Sequence, residues 1–155
     1  MRVRWEMARA AGSRLLQAHP NSLEVKIALG DLLRMGHNLD VPGAAEAADR
    51  LLKEVIAADP DNFAAYFTLA SMYVTLDPQY APAAERYFLK AETLVAPRIV
   101  PDIYQGLGFA CIAQQKVPET IDYFEKYMKM QGDEPFIRQL VALLKAGNKP
   151  RIIRK

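Results

Sequence analysis

The chain is poor in the features that usually announce a chemistry. It has one cysteine, Cys111, in 155 residues, so no internal disulfide can form. Two histidines, His19 and His37, stand apart from it and from each other beside turn residues, so no Cys/His cluster offers a zinc site. No apolar run approaches the roughly 20 residues that span a bilayer. The basic start, Met1–Trp5, is not followed by a secretory apolar core, because Glu6, Arg9 and Arg14 interrupt it. The expected location is the cytoplasm, or that of a longer parent chain. Phosphate-loop, His-Glu-x-x-His and Gly-x-Ser-x-Gly patterns are missing. Gly106-Leu-Gly108 lacks a third glycine and falls inside a helical pattern, so it makes no dinucleotide loop. Enzymatic activity, metal and cofactor are therefore not expected.

Nor is there a large excess of charge. The formal net charge is +2. Residues 1–14 carry +3 and residues 145–155 carry +5, which leaves −6 for residues 15–144. The mild basicity belongs to the two ends. An acidic body repels phosphate through a field that salt screens, so nucleic acid is disfavoured as a partner and the tail at 148–155 reads as a solvated basic terminus.

What the sequence does contain is an internal repeat. Ala18-His-Pro-Asn-Ser-Leu23 returns 40 residues later as Ala58-Asp-Pro-Asp-Asn-Phe63. Each leads into a helical pattern, Lys26-x-x-Leu29-Gly30-x-x-Leu33 and Tyr66-x-x-Leu69-Ala70-x-x-Tyr73, and Tyr104-x-x-Leu107-Gly108-x-x-Cys111 is a third copy. A small-x-x-x-large pair follows each: Ala48 and Leu52, Ala84 and Phe88, Thr120 and Phe124. Pro60, Pro97 and Gly132 close the units. Glycine inside a helix costs about 1 kcal/mol relative to alanine, so Gly30 and Gly108 in matching slots point to close approach of a paired helix. Ala48, Ala84 and Thr120 are the expected facing slots. Asn21 with Glu24 makes a capping box, and Asp61 or Asn62 caps the equivalent later helix.

The pattern resembles the tetratricopeptide repeat (TPR) family, with its W-x2-L-G-x2-Y…A-x3-F…P signature. The resemblance covers residues 21 to about 132, as repeats at 21–60, 61–98 and 99–132. The third copy keeps the regular 12-residue step, Gly108 to Thr120; the first takes 18 residues and the second 14. The extra residues, Met35–Gly43 and Leu76–Pro82, read as lengthened loops, which cost little free energy. The expected fold is all-α, a right-handed α-solenoid of three helix pairs in a single domain over residues 1–147. Eight helices are expected at 3–18, 22–35, 43–58, 62–75, 80–95, 100–115, 118–131 and 134–146. The flanking helices 3–18 and 134–146 lack partners, as though the chain began in mid-repeat, and Phe136, Leu140, Leu143 and Leu144 call for a cover on one side.

Such arrays present a concave surface lined by the first helix of each pair. The resemblance therefore implies a peptide-binding groove at Ile27, Asp31, Met35, Phe67, Ser71, Val74, Gln105, Phe109 and Ile112. The competing reading puts Phe67, Phe109 and Ile112 in the core, beneath terminal helices or turns. A subtype that grips a terminal carboxylate with Lys, Asn and Arg is not matched, since Ile27, Asp31, Thr68, Asp102 and Gly106 occupy that region. The expected function is a non-catalytic protein-interaction scaffold with a protein or peptide partner of apolar and basic character. Self-assembly into a homo-oligomer through the terminal helices is the alternative. Cys111, in the slot of Leu33 and Tyr73, is expected to be a small core residue.

Overall fold

The computed structural model describes residues 2–148. Among them are eight α-helices and no strand: α1 (Arg2–Ala18), α2 (Leu23–His37), α3 (Ala44–Ala58), α4 (Phe63–Thr75), α5 (Ala81–Val95), α6 (Pro101–Ala113), α7 (Val117–Gln131) and α8 (Pro135–Lys145). A 3-10 turn at Pro78–Tyr80 precedes α5. The chain divides into two compact units with a boundary between Met72 and Tyr73, inside α4. In the first unit α1 packs on α2 and α2 on α3; in the second α5 packs on α6, α6 on α7 and α7 on α8. Within each unit these helices pack on their neighbours in sequence, as stacked two-helix repeats do. Residues 149–155, the bulk of the basic tail, lie outside the described residues.

Local chemistry explains the helix ends. Ser22, not Asn21, is the N-cap of α2: its hydroxyl accepts from the Val25 amide at 3.2 Å and donates to the Glu24 carboxylate at 2.9 Å. Asn62 caps the first turn of α4, its side-chain oxygen accepting from the Ala65 amide at 3.1 Å. Asp59 in turn accepts from the Asn62 side-chain amide at 2.9 Å. Glu134 does the same for α8, accepting from the Ile137 amide at 2.6 Å. Five helical segments carry proline in their first turn or just before it, where a missing N–H costs nothing. Gly132 ends α7 at φ +92°, a conformation costly for a side chain with a Cβ.

The close approach of the paired helix expected at Gly30 and Gly108 is present, with the large residue of the facing pair nearest the glycine. A Cβ on Gly30 would lie 2.9 Å from Leu52, and one on Gly108 would lie 2.4 Å from the Phe124 ring. The large member of each small-x-x-x-large pair fills the glycine's hollow, while Ala48 and Thr120 are buried nearby. In the same way Phe88 fills the hollow of Gly106, 2.2 Å from where a Cβ would stand. Ridges therefore sit in grooves, the ordinary route to dense helix packing.

The first loop is shorter than the spacing implied, because α2 continues to His37. Tertiary contact supports those two extra residues. The Trp5 indole lies over Gly36, within 2.2 Å of where a Cβ would be, and its Nε1 donates to the Leu32 carbonyl at 2.6 Å. On α8 the buried stripe is Ile137, Val141 and Leu144. Of the four apolar residues expected to need cover, only Leu144 is buried; Phe136 is 60% and Leu143 48% exposed, and Leu140 is half-buried. That stripe follows the repeat spacing Ile137-x-x-Leu140-Val141-x-x-Leu144 of a first helix, while Phe136 and Leu143 stay open. Ile137 and Val141 reach Phe124 on α7, completing a cluster with it.

Candidate functional site

The nine positions expected to bind a partner lie on α2, α4 and α6. Their spacing puts them beside, not on, the stripe that packs against neighbouring helices. That stripe is buried throughout: Leu29, Gly30 and Leu33 on α2, Leu69, Ala70 and Tyr73 on α4, and Leu107, Gly108 and Cys111 on α6. None of the nine is. Met35 is 48% exposed, and the other eight are half-buried.

Within the first unit, Asp31 is ion-paired with Arg34 at 2.8 Å. The carboxylate therefore presents a compensated charge, weaker than the bare acid that the sequence implied. Phe67 stacks on Phe63 with ring centroids 5.6 Å apart, a half-exposed aromatic pair on α4. In the second unit, Gln105 and Ile112 keep part of their side chains in solvent. Phe109 is more committed: its ring meets Phe124 edge-on at 5.1 Å and packs against the cluster of Phe124, Ile137 and Val141. One side of Phe109 thus walls the core that α8 completes, and only the remainder faces outward.

Cys111 is fully buried on α6. Burial, with the nearby Glu85 charge, pushes its thiol pKa up to about 12, so the nucleophilic thiolate is suppressed. Its environment is a polar network that no motif announced. Glu85, on α5, accepts from the Gln114 amide at 2.7 Å and the Lys116 ammonium at 2.6 Å, with the Cys111 Sγ 3.8 Å away. These partners are 26 to 31 residues from Glu85 in sequence, which is why pattern reading missed them. Partial burial raises the Glu85 pKa, but the Lys116 and Gln114 hydrogen bonds outweigh it and hold the carboxyl below its ordinary 4.5. The hydrogen bond to Glu85 likewise raises Lys116. The network ties α5 to the turn between α6 and α7.

A depressed carboxyl stabilises the fold at pH values above its unfolded pKa, and that contribution fades as pH falls through the folded value. Glu85→Gln is therefore expected to lower stability by about 1 kcal/mol near neutrality. In urea titrations the gap to the parent chain should close below the ordinary carboxylate range. A gap that persists unchanged into acid would mean that the network charge contributes nothing.

Among the described residues no group of three or more His, Cys, Asp or Glu side chains converges to hold a metal ion. No helix among them is long and apolar enough to cross a membrane. Every buried side-chain nitrogen and oxygen described has a hydrogen-bond partner.

No family model matches the chain, and no curated protein matches it. Its fold, however, is shared with solved structures of MamA. MamA MSR-1 C2 has a TM-score of 0.75 at 22% identity, over 93% of this chain and 77% of that chain. The crystal structure of MamA has a TM-score of 0.75 at 24% identity, over 92% and 78%. MamA AMB-1 has a TM-score of 0.74 at 22% identity, over 93% and 73%. Identities this low speak to architecture alone, and the architecture is that of an all-α, TPR-like helical repeat similar to MamA.

Proposed function

We propose that the chain is a non-catalytic protein-interaction module, taking a peptide or protein segment on the partly exposed faces of its first helices. Ile27, Asp31, Met35, Phe67 and Ser71 serve in the first unit, and Val74, Gln105, Phe109 and Ile112 in the second. The observation that carries this reading is the segregation of exposure: in all three helices the repeat-core positions are buried and the nine candidate positions are not. Apolar side chains held half-open on rigid helices supply anchors at low ordering cost, so a flexible partner bears most of the entropy loss. The fold shared with MamA supplies the helical repeat that carries these positions. Asp31 remains the acidic position, tempered by Arg34.

Met35→Glu combined with Ile112→Glu tests the reading better than changes at Phe109, which also walls the core. Capture of the cellular partner, identified by mass spectrometry, should fall about tenfold or more while helical circular dichroism and melting stay at parental values. Undiminished capture by this folded variant would refute the assignment.

Self-assembly is the second reading, and one observation favours it. Val3, Met7 and Leu15 on α1 are 53–69% exposed, and Phe136 and Leu143 on α8 are also open, so both terminal helices carry uncovered apolar side chains. Light scattering across a concentration series decides it; a monomer throughout excludes it.

A further inference from the structure

A second surface, on α1, α3 and other positions of α2, has the opposite charge preference. In the first unit α1 and α3 flank α2, and between them lies a cleft of about 350 Å³. Its apolar walls come from Leu16 on α1, Leu29 and Leu33 on α2, and Leu51 on α3. Spacing places these side chains together: Leu29 and Leu33 are one turn apart on α2, and Ala47 and Leu51 one turn apart on α3. Gly12 lets α1 lie close over this floor, since a Cβ there would come within 3.0 Å of the Leu29 side chain.

The rim is cationic. Arg9 and Arg50 line the cleft from α1 and α3, and no acidic side chain lines it at all. Among the described residues neither arginine is ion-paired, although Arg2, Lys26, Arg34, Lys53, Lys116 and Lys126 all are. Arg9 instead rests on the face of Trp5, 5.6 Å from the ring centroid. Ser13 and Gln17, one turn on from Arg9 and from Ser13 respectively, add neutral hydrogen-bonding groups along the α1 wall. Two guanidinium groups without carboxylates, above an aliphatic floor, complement a carboxylate next to an aliphatic side chain. We infer that this cleft binds a short acidic segment of a protein partner, in which a leucine-class side chain enters between α1 and α3 and flanking Asp or Glu side chains pair with Arg9 and Arg50. A peptide suits the site better than a compact anion, because the two arginines stand on different helices and Ser13 and Gln17 can bond a main chain between them.

The inference does not depend on the proposed first-helix surface, and its test keeps the two apart. The probe is a capped, fluorescein-labelled peptide alternating leucine with glutamate, compared with its lysine-for-glutamate and alanine-for-leucine counterparts. Anisotropy should show saturable binding of the leucine–glutamate peptide only, with affinity falling steeply as salt rises. Trp5 is the sole tryptophan, and its emission should shift on binding as Arg9 turns toward the ligand. Arg50→Glu, which does not touch Trp5, should weaken binding about tenfold or more, with Arg9→Gln weakening it less. Met35→Glu should leave it unchanged. Equal binding of the glutamate and lysine peptides, indifference to Arg50→Glu, or no binding of the leucine–glutamate peptide would each overturn the inference.

Discussion

Gly108→Val is expected to destabilise the second unit by about 3 kcal/mol, read as a lower urea midpoint without loss of slope. The reason is steric and local. The Phe124 ring occupies the hollow that glycine leaves, 2.4–2.5 Å from where a Cβ would stand. That ring is fully buried. It cannot swing aside, because Phe109 meets it edge-on and Ile137 and Val141 pack around it. Alanine is a milder probe at the same site, since its helix propensity gains about 1 kcal/mol against the clash. Shrinking the opposing ring supplies the control. Phe124→Leu alone should cost stability by leaving space, yet in combination with Gly108→Val the two losses should be less than additive. Wild-type stability in Gly108→Val, or strict additivity in the pair, would show that α6 and α7 do not interlock at this point.

Trp5→Ala is expected to release α1 from α2 at a cost of about 3–5 kcal/mol. Trp5 is the only buried residue of α1. It supplies the helix with its apolar anchor, a hydrogen bond to the Leu32 carbonyl at 2.6 Å, and a platform for Arg9 at 5.6 Å. The loss should be confined largely to one end of the unit. Amide hydrogen exchange should speed up through α1 and the last turn of α2, where Gly36 underlies the indole, and much less in α3. Trp5→Phe keeps apolar contact but not the N–H donor, so it should retain part of the protection. Uniform loss of protection through α2 and α3 would mean that the unit unfolds as a whole and that Trp5 is not a local clasp.

Both outcomes turn on features that the residues announce only halfway. The glycines at 30 and 108 are visible as anomalies in helical patterns, and close approach follows from their lack of a Cβ. Which side chain enters the hollow does not follow. Each facing pair offers a small and a large residue, and the structure puts the large ones, Leu52 and Phe124, there. The helices have less room to choose: prolines, cap residues and apolar spacing act over a few residues, so the expected limits differ from the observed ones by one or two residues. The two-residue extension of α2 to His37 is instructive, because it leans on Trp5, some thirty residues earlier in the chain.

The candidate surface was legible to a similar degree. Period and repeat slot identify which positions of α2, α4 and α6 fall beside the buried stripe, and all nine stay out of the core. They cannot show that Arg34 neutralises Asp31, or that α8 turns Ile137 and Val141 toward Phe124 so that Phe109 becomes partly a core wall. The Glu85 network and the Arg9–Arg50 cleft carry no signature, since each unites residues distant in sequence on separate helices.

Sequence alone therefore determined the all-helical class, the number and limits of the helices, the repeat and the confinement of basic charge to the ends. These are set by short-range periodicity, capping and residue counts. The tertiary structure decided which large side chain fills each glycine hollow, what α8 packs against, and which charges find a partner. Those outcomes depend on the rotation of one helix against another, and that rotation is fixed by steric fit and ion pairing between residues that no local pattern links.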